Sequence, residues 1–257
     1  MHLHGRHAAG LRNGKMRRAL PPITPARRPV ADILAAPLAQ GADWIAIDKP
    51  AGLATHPGPR TPDSVETRLA AAGGKARPAH RLDRDTSGVL LLGRNRPGLV
   101  RLSRALAAGE VEKAYLAILP CRNLPAEAGV VSAPLEKQSS RDAGWRMVVS
   151  PRGQPAETQW RLLARRGDHV LVLLKPRTGR THQLRVHVGL IAPGAAIRGD
   201  PVYGGGEPGG LMLHAWQIGF PDGAGGRAHI VAPLPQRFRD LGVSEDDLPV
   251  PEVDARD

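Results

Sequence analysis

Residues 80 to 88 read HRLDRDTSG, which places His80, Arg81 and Arg84 around the carboxylates of Asp83 and Asp85, followed by Thr86 and Ser87. The apolar run VLLLGR follows at once, so a dense polar turn feeds a segment that must be buried. Cations on both sides favour an ionised carboxylate. An ionised aspartate in a cleft is a nucleophile or a base. A structural salt bridge is the competing reading for an isolated Asp–Arg neighbour. Spacing does not choose between Asp83 and Asp85.

A second cluster, RTGRTHQLRVH at 177 to 187, follows a strand pattern ending at Lys175-Pro176 and opens a helix. His182 and Arg185 are three apart and share a face, where a guanidinium can grip a carboxylate with two parallel bonds. His182 and His187 are five apart, a poor spacing for two ligands on one helical face, so no metal site is expected. In EKAYLAI, residues 112 to 118, strand alternation puts Lys113 and Tyr115 on one face. A tyrosine there can stack on a base, although a half-buried core tyrosine is the plainer reading. YGGGEPGG (203–210) lacks the Lys-Ser/Thr and the helix of a phosphate loop and reads as a flexible loop. KPAGLATHPG (49–58) reads as a Pro/Gly-rich turn, with His56 exposed or facing a substrate and no partners for a triad.

The elements that carry these clusters read as short strands and a few helices. Strands are expected at 44–48, 88–94, 114–119, 146–150, 158–166, 169–176 and 211–220. Helices are expected at 64–72 with Ser64 as cap, at 97–110, and at 181–192 with Thr181 near the cap. Strands that outnumber helices without alternating with them point to an α+β fold on a largely antiparallel or mixed sheet. Three segments are expected: a basic disordered arm (1–29), a catalytic domain (30–243) and an acidic, Pro-interrupted disordered tail (244–257). The arm holds seven Lys or Arg and no acid, and suits the phosphates of a nucleic acid.

Bulk composition narrows the partner. The 257 residues carry 36 Lys and Arg against 24 Asp and Glu, a net charge of +12, which favours a polyanion. Aromatics are 3% of the chain, too few for a platform that stacks many bases of single strand. No apolar run is long enough for a membrane span. Cys121 is the single cysteine, which excludes an internal disulfide and fits a reducing compartment. A cytoplasmic monomer is expected.

Taken in order, the clusters resemble the RluA-type pseudouridine synthases. The resemblance runs through DKPAGLATHPG (48–58), HRLDRDTSGVLLLGRN (80–95), EKAYLAI (112–118), KPRTGRTHQLRVH (175–187), IRGDPVYG (197–204) and LMLHAWQIGFP (211–221), covering roughly residues 40 to 235. His80 separates the chain from the related RsuA type, which carries GRLD. The resemblance implies a curved mixed sheet with flanking helices and a central cleft, and isomerisation of uridine in rRNA or tRNA without cofactor or metal. It implies that Asp83, rather than Asp85, is catalytic, with Tyr115 and Arg185 in the active site. Of the motif residues around them, His80, Arg81, Thr86, Arg180, His182 and Gln183 are expected to bind RNA. The target base must leave its stack to react, so Tyr115 is expected to stack on it and Arg185 to hold Asp83. An inactive RNA-binding or RNA-folding module on the same fold is the alternative. Two departures stand out. The arm is too short for the S4 domain that many relatives carry, and Ala196 replaces a usual proline before Arg198-Gly199-Asp200, loosening a turn.

Overall fold

The computed structural model describes residues 36–59, 61–140, 144–204 and 206–251. The basic arm of residues 1–29 and the last six residues of the acidic tail lie outside them. In chain order the elements are β1 (Ala39–Gln40), β2 (Trp44–Lys49), helix α1 (Val65–Ala71), β3 (Arg77–Pro78), β4 (Ser87–Gly93), α2 (Arg96–Ala107), β5 (Glu112–Leu119), β6 (Ala128–Ser132), β7 (Leu135–Ser140) and β8 (Gly144–Val149). They continue as β9 (Glu157–Arg166), β10 (His169–Pro176), α3 (Gln183–Ile191), β11 (Leu213–Pro221), β12 (Arg227–Val231) and a short α4 (Gln236–Arg239). One mixed sheet runs in the order β1-β2-β4-β11-β5-β10-β9-β6, with β3 beside β4 and β12 beside β11. Its pairs are antiparallel except β4–β11, where Ser87 faces His214. The α+β expectation holds.

Strand β4 shows why the sheet forms. All seven of its residues are buried. Val89 and Leu91 pack with Leu102 and Ala105 of α2, while Leu90 and Leu92 pack with Val65 and Leu69 of α1. A strand covered on both faces must be apolar at every position, which is what VLLL supplies. The larger core lies under β5 and β10, where Leu116, Ile118 and Leu174 meet Leu184, Val188 and Ile191 of α3.

The structure departs from expectation in four places. Helix α3 begins at Gln183, two residues later than expected, with His182 as its cap and Thr181 beside it. His182 sits at φ 52°, the one non-glycine positive φ among the described residues. The strand expected at 146–150 belongs to the separate β7–β8 hairpin, whose polar first strand LEKQSS gave no apolar pattern to read. β6 and β12 were likewise not legible: β6 is largely exposed and β12 is a five-residue strand at the sheet's margin. The tail expected to be disordered from Ser244 onward instead forms a 3-10 turn at Glu245–Asp247, capped by Ser244. Asp247 pairs with Arg166, Glu245 pairs with Arg239, and Leu248 packs on the main core, so local ion pairs offset the poor apolar content.

Candidate active site

The HRLDRDTSG turn is clamped from three sides. Lys49, at the end of β2, is fully buried, and its Nζ donates to the carbonyls of Pro50 (2.9 Å), Leu53 (2.7 Å) and Arg84 (3.0 Å). An ammonium has three donors, so all three are satisfied. Burial pushes its pKa down to about 7 against the pull of Asp85 and Asp83. Thr55 Oγ1 donates to Leu82 O at 2.9 Å and accepts from Leu82 N–H at 3.0 Å. On the far side, Ser87 Oγ accepts from Arg237 Nη2 at 2.6 Å and meets His214 Nδ1 at 2.8 Å. Gly88 closes the clamp. Its φ is +109°, and a Cβ there would lie 2.1 Å from Ala215 O, so only glycine lets β4 approach β11. KPAGLATHPG is therefore a brace for the HRLDRDTSG turn as well as a turn in its own right, and exposed His56 Nδ1 lies 2.8 Å from Glu66 Oε2.

The clamp separates the two aspartates. Asp85 pairs with Arg84 at 3.1 Å outside the cleft. Asp83 lines a cavity of about 540 Å³ together with Thr86, Tyr115, His182 and Arg185. Asp83 is the only acidic side chain among the described residues that line it.

Arg185 reaches Asp83, but its main partner is another carboxylate. Its Nε and Nη2 donate to Asp200 Oδ2 and Oδ1, each at 2.7 Å, and only Nη1 reaches Asp83 Oδ2, at 3.3 Å. Asp200 is 0% exposed and also accepts from the backbone N–H groups of Val202 (2.8 Å) and Tyr203 (3.1 Å). Burial works to raise the Asp200 pKa, but Arg185 and those N–H groups outweigh it and hold the carboxyl below the usual range. Burial likewise opposes the Arg185 charge, and Asp200 and Asp83 together outweigh it. The carboxylate stranded by loss of Arg185 is thus Asp200 before Asp83. Asp200 sits in the turn with Ala196, and its bidentate bond holds that turn without the usual proline.

His182 is fixed from both sides. Its ring stacks on Trp145 of the hairpin at 5.0 Å and 27°. Tyr203 Oη accepts from Met147 N–H at 3.0 Å and lies 3.1 Å from His182 Nδ1. His182 Nε2, on the other side of the ring, lies 3.7 Å from Asp83 Oδ2. Burial lowers the His182 pKa, with Asp83 opposing. Tyr115 is half-buried on the cavity wall, and burial, then Asp83, pushes its phenol above the ordinary range, so the ring stays neutral.

The other expected site residues divide into two sets. His80 lines the cleft, but its Nε2 accepts from Leu91 N–H at 3.0 Å, and burial pushes its pKa down to about 4. Gln183 is buried. Its Oε1 accepts from Thr178 Oγ1 (2.7 Å) and Arg180 N–H (3.0 Å), and its Nε2 donates to Glu157 O (2.9 Å) and Thr158 Oγ1 (3.0 Å). That uses the amide's full capacity, so Gln183 shapes the 177–181 loop and has nothing left for RNA. Arg81 and Arg180 are exposed on the rim. Arg180 Nε donates to Pro155 O at 3.0 Å, and Arg81 has no hydrogen-bond or ion-pair partner among the described residues. His187 is buried between Thr158 Oγ1 (2.9 Å) and Ala133 O (3.1 Å), away from His182. Asp200, Tyr203, Trp145, Lys49 and Thr55 were given no role from the sequence. The signal available for Asp200 and Tyr203 was their place inside IRGDPVYG; Trp145 lies outside every motif.

Comparison with known proteins gives the family. Residues 43–189 match the family described as RNA pseudouridylate synthase. The chain is 43% identical over 211 residues to an uncharacterized RNA pseudouridine synthase of Zymomonas mobilis, covering 78% of this chain and 94% of that one. It is 37% identical over 169 residues to the ribosomal large subunit pseudouridine synthase D of Xanthomonas campestris, covering 63% of this chain and 49% of that one. It therefore spans about half the length of that relative. Among solved structures, human RNA pseudouridylate synthase domain containing 4 aligns with TM-score 0.65 and 27% identity over 82% of this chain and 92% of its own.

Proposed function

The chain belongs to the RNA pseudouridylate synthase family, and on that premise we propose that Asp83 is the residue at which it isomerises uridine in RNA. The enzyme is an isomerase. The N1–C1′ bond breaks, the ring turns, a C5–C1′ bond forms, the C5 proton leaves and N1 gains one. Atoms and electrons balance without an oxidant or a donor group, which supports a reaction free of cofactor. The observation that carries the assignment is that Asp83 is the one carboxylate among the described residues on the cavity wall, with Arg185 and His182 both on its Oδ2 while Asp200 takes the rest of that guanidinium. Asp83 thus keeps an oxygen for the sugar–base junction, as nucleophile or base.

Tyr115, neutral beside Asp83, stacks on the flipped uracil. Arg81 and Arg180 on the rim, with Thr86 and His182 on the wall, contact the RNA, and the basic stretch 1–29 lies along its backbone. The substrate is large-subunit rRNA, as the names of several relatives suggest, with tRNA the other outcome of the test. The enzyme works as a cytoplasmic monomer. No helix among the described residues is long and apolar enough to cross a membrane.

The test is pseudouridine mapping of total RNA from cells with and without the gene. A site lost on deletion should return with the wild type and stay absent with Asp83→Asn. Return of the site with Asp83→Asn would overturn the assignment. No lost site would favour an inactive RNA-binding module.

A further inference from the structure

A second cavity lies beside the Asp83 cavity. This neighbour, of about 240 Å³, shares Gly109, Lys113, Pro176 and Arg177 with the catalytic cavity as common wall. Its remaining polar wall includes Gln159, Gln217 and His229, side chains that supply both donors and acceptors. Its one acid, Glu112, is answered by Arg227 at 3.0 Å.

Lys113 lines both cavities. Strand alternation sends it to the same face of β5 as Tyr115, one pleat away. Its Nζ lies beside the 177–181 loop, 3.7 Å from where a Cβ on Gly179 would sit. It is only partly exposed, and no hydrogen bond or ion pair joins it to another described residue. Burial lowers its pKa, and no neighbouring acid offsets the effect. A half-buried amine that faces two cavities and has no side-chain partner among the described residues is placed to meet an anion that enters them. An RNA strand with one base in the Asp83 cavity would have to pass its neighbouring phosphate and base along the shared wall that carries Lys113.

We propose that the second cavity is a subsite for the nucleobase adjacent to the target uridine, with the phosphate between the two held by Lys113. The subsite rests on the reading of the Asp83 cavity as the uridine pocket. It gives the enzyme a means of choosing its uridine by the neighbouring base, through the amide of Gln159 and the ring of His229.

Turnover and binding are measured on total RNA from cells lacking the gene and on a synthetic strand copying the mapped site. Lys113→Gln should raise KM roughly tenfold and lower kcat by less than about threefold. It should also reduce the salt slope of binding by about one, with Lys113→Arg restoring the slope. The melting temperature of Lys113→Gln should not fall, since nothing in the fold bonds to the amine. An abasic residue on one side of the target uridine should cost the wild type more than on the other side. An unchanged salt slope overturns the proposal, as does equal tolerance of abasic residues on both sides. A melting temperature lowered in Lys113→Gln and unrescued by Lys113→Arg makes the lysine structural and also overturns it. Failure of the Asp83 reading shows separately, as turnover retained by Asp83→Asn.

Discussion

The inner wall of the cleft and its rim use the same residue types in opposite ways. On the wall and just behind it, Lys49, Thr55, Gln183 and the Arg185–Asp200 pair have their bonds filled by the protein itself. Facing the cleft, the side chains of Arg81 and Lys113 have neither a hydrogen-bond nor an ion-pair partner among the described residues. Asp83 sits between these regimes, with Oδ2 near Arg185 and His182 and the rest of its carboxylate open to the cavity. The contrast separates position from recognition: a polar group with all its bonds satisfied inside the fold holds geometry, and one left unsatisfied waits for a ligand.

Breaking the wall should cost stability, and breaking the rim should cost RNA affinity. The largest effect is expected from Asp200→Asn, which leaves Arg185 buried without its bidentate partner and should lower unfolding stability by about 3–5 kcal/mol in a denaturant titration. The same variant should flatten the acid limb of stability. A carboxyl held below its unfolded pKa stabilises fully above about pH 3.9, and that contribution is lost as pH falls through the folded value. Asp83→Asn, by contrast, should change stability by less than about 1 kcal/mol. Gln183→Ala removes the acceptor of the Thr178 hydroxyl and of Arg180 N–H and should cost about 1–3 kcal/mol, read as a shift in the urea midpoint at constant slope. Arg81→Ala should leave the melting temperature in place and lower the salt slope of RNA binding by about one. A fall in melting temperature there would erase the distinction between wall and rim. The smallest effect is expected from Trp145→Ala. It removes one exposed aromatic stack, worth about 0.5–1.5 kcal/mol, and the matching loss of order in His182 should show as a moved imidazole resonance in NMR.

The cleft's chemistry was more legible than its support. HRLDRDTSG and GRTHQLRVH each lie in one continuous stretch, so Asp83, Arg185 and His182 could be named before any fold was known. Asp200 and Tyr203 act from a loop that sequence separates from Asp83 by more than a hundred positions, and Trp145 from a hairpin with no apolar rhythm. Their roles exist only through contacts across the fold. His80 and Gln183 show the converse: both lie inside the motifs, yet the fold has already used the atoms that would have bound RNA.

The sequence by itself determined the strand-rich core, because buried strands need apolar residues at every position or at alternate ones, and it determined which polar turn feeds that core. The tertiary structure decided which of two aspartates faces the cavity and which carboxylate owns Arg185. It also decided which cations were left without partners. Those outcomes depend on distance and burial between segments remote in the chain, and neither composition nor spacing encodes them locally.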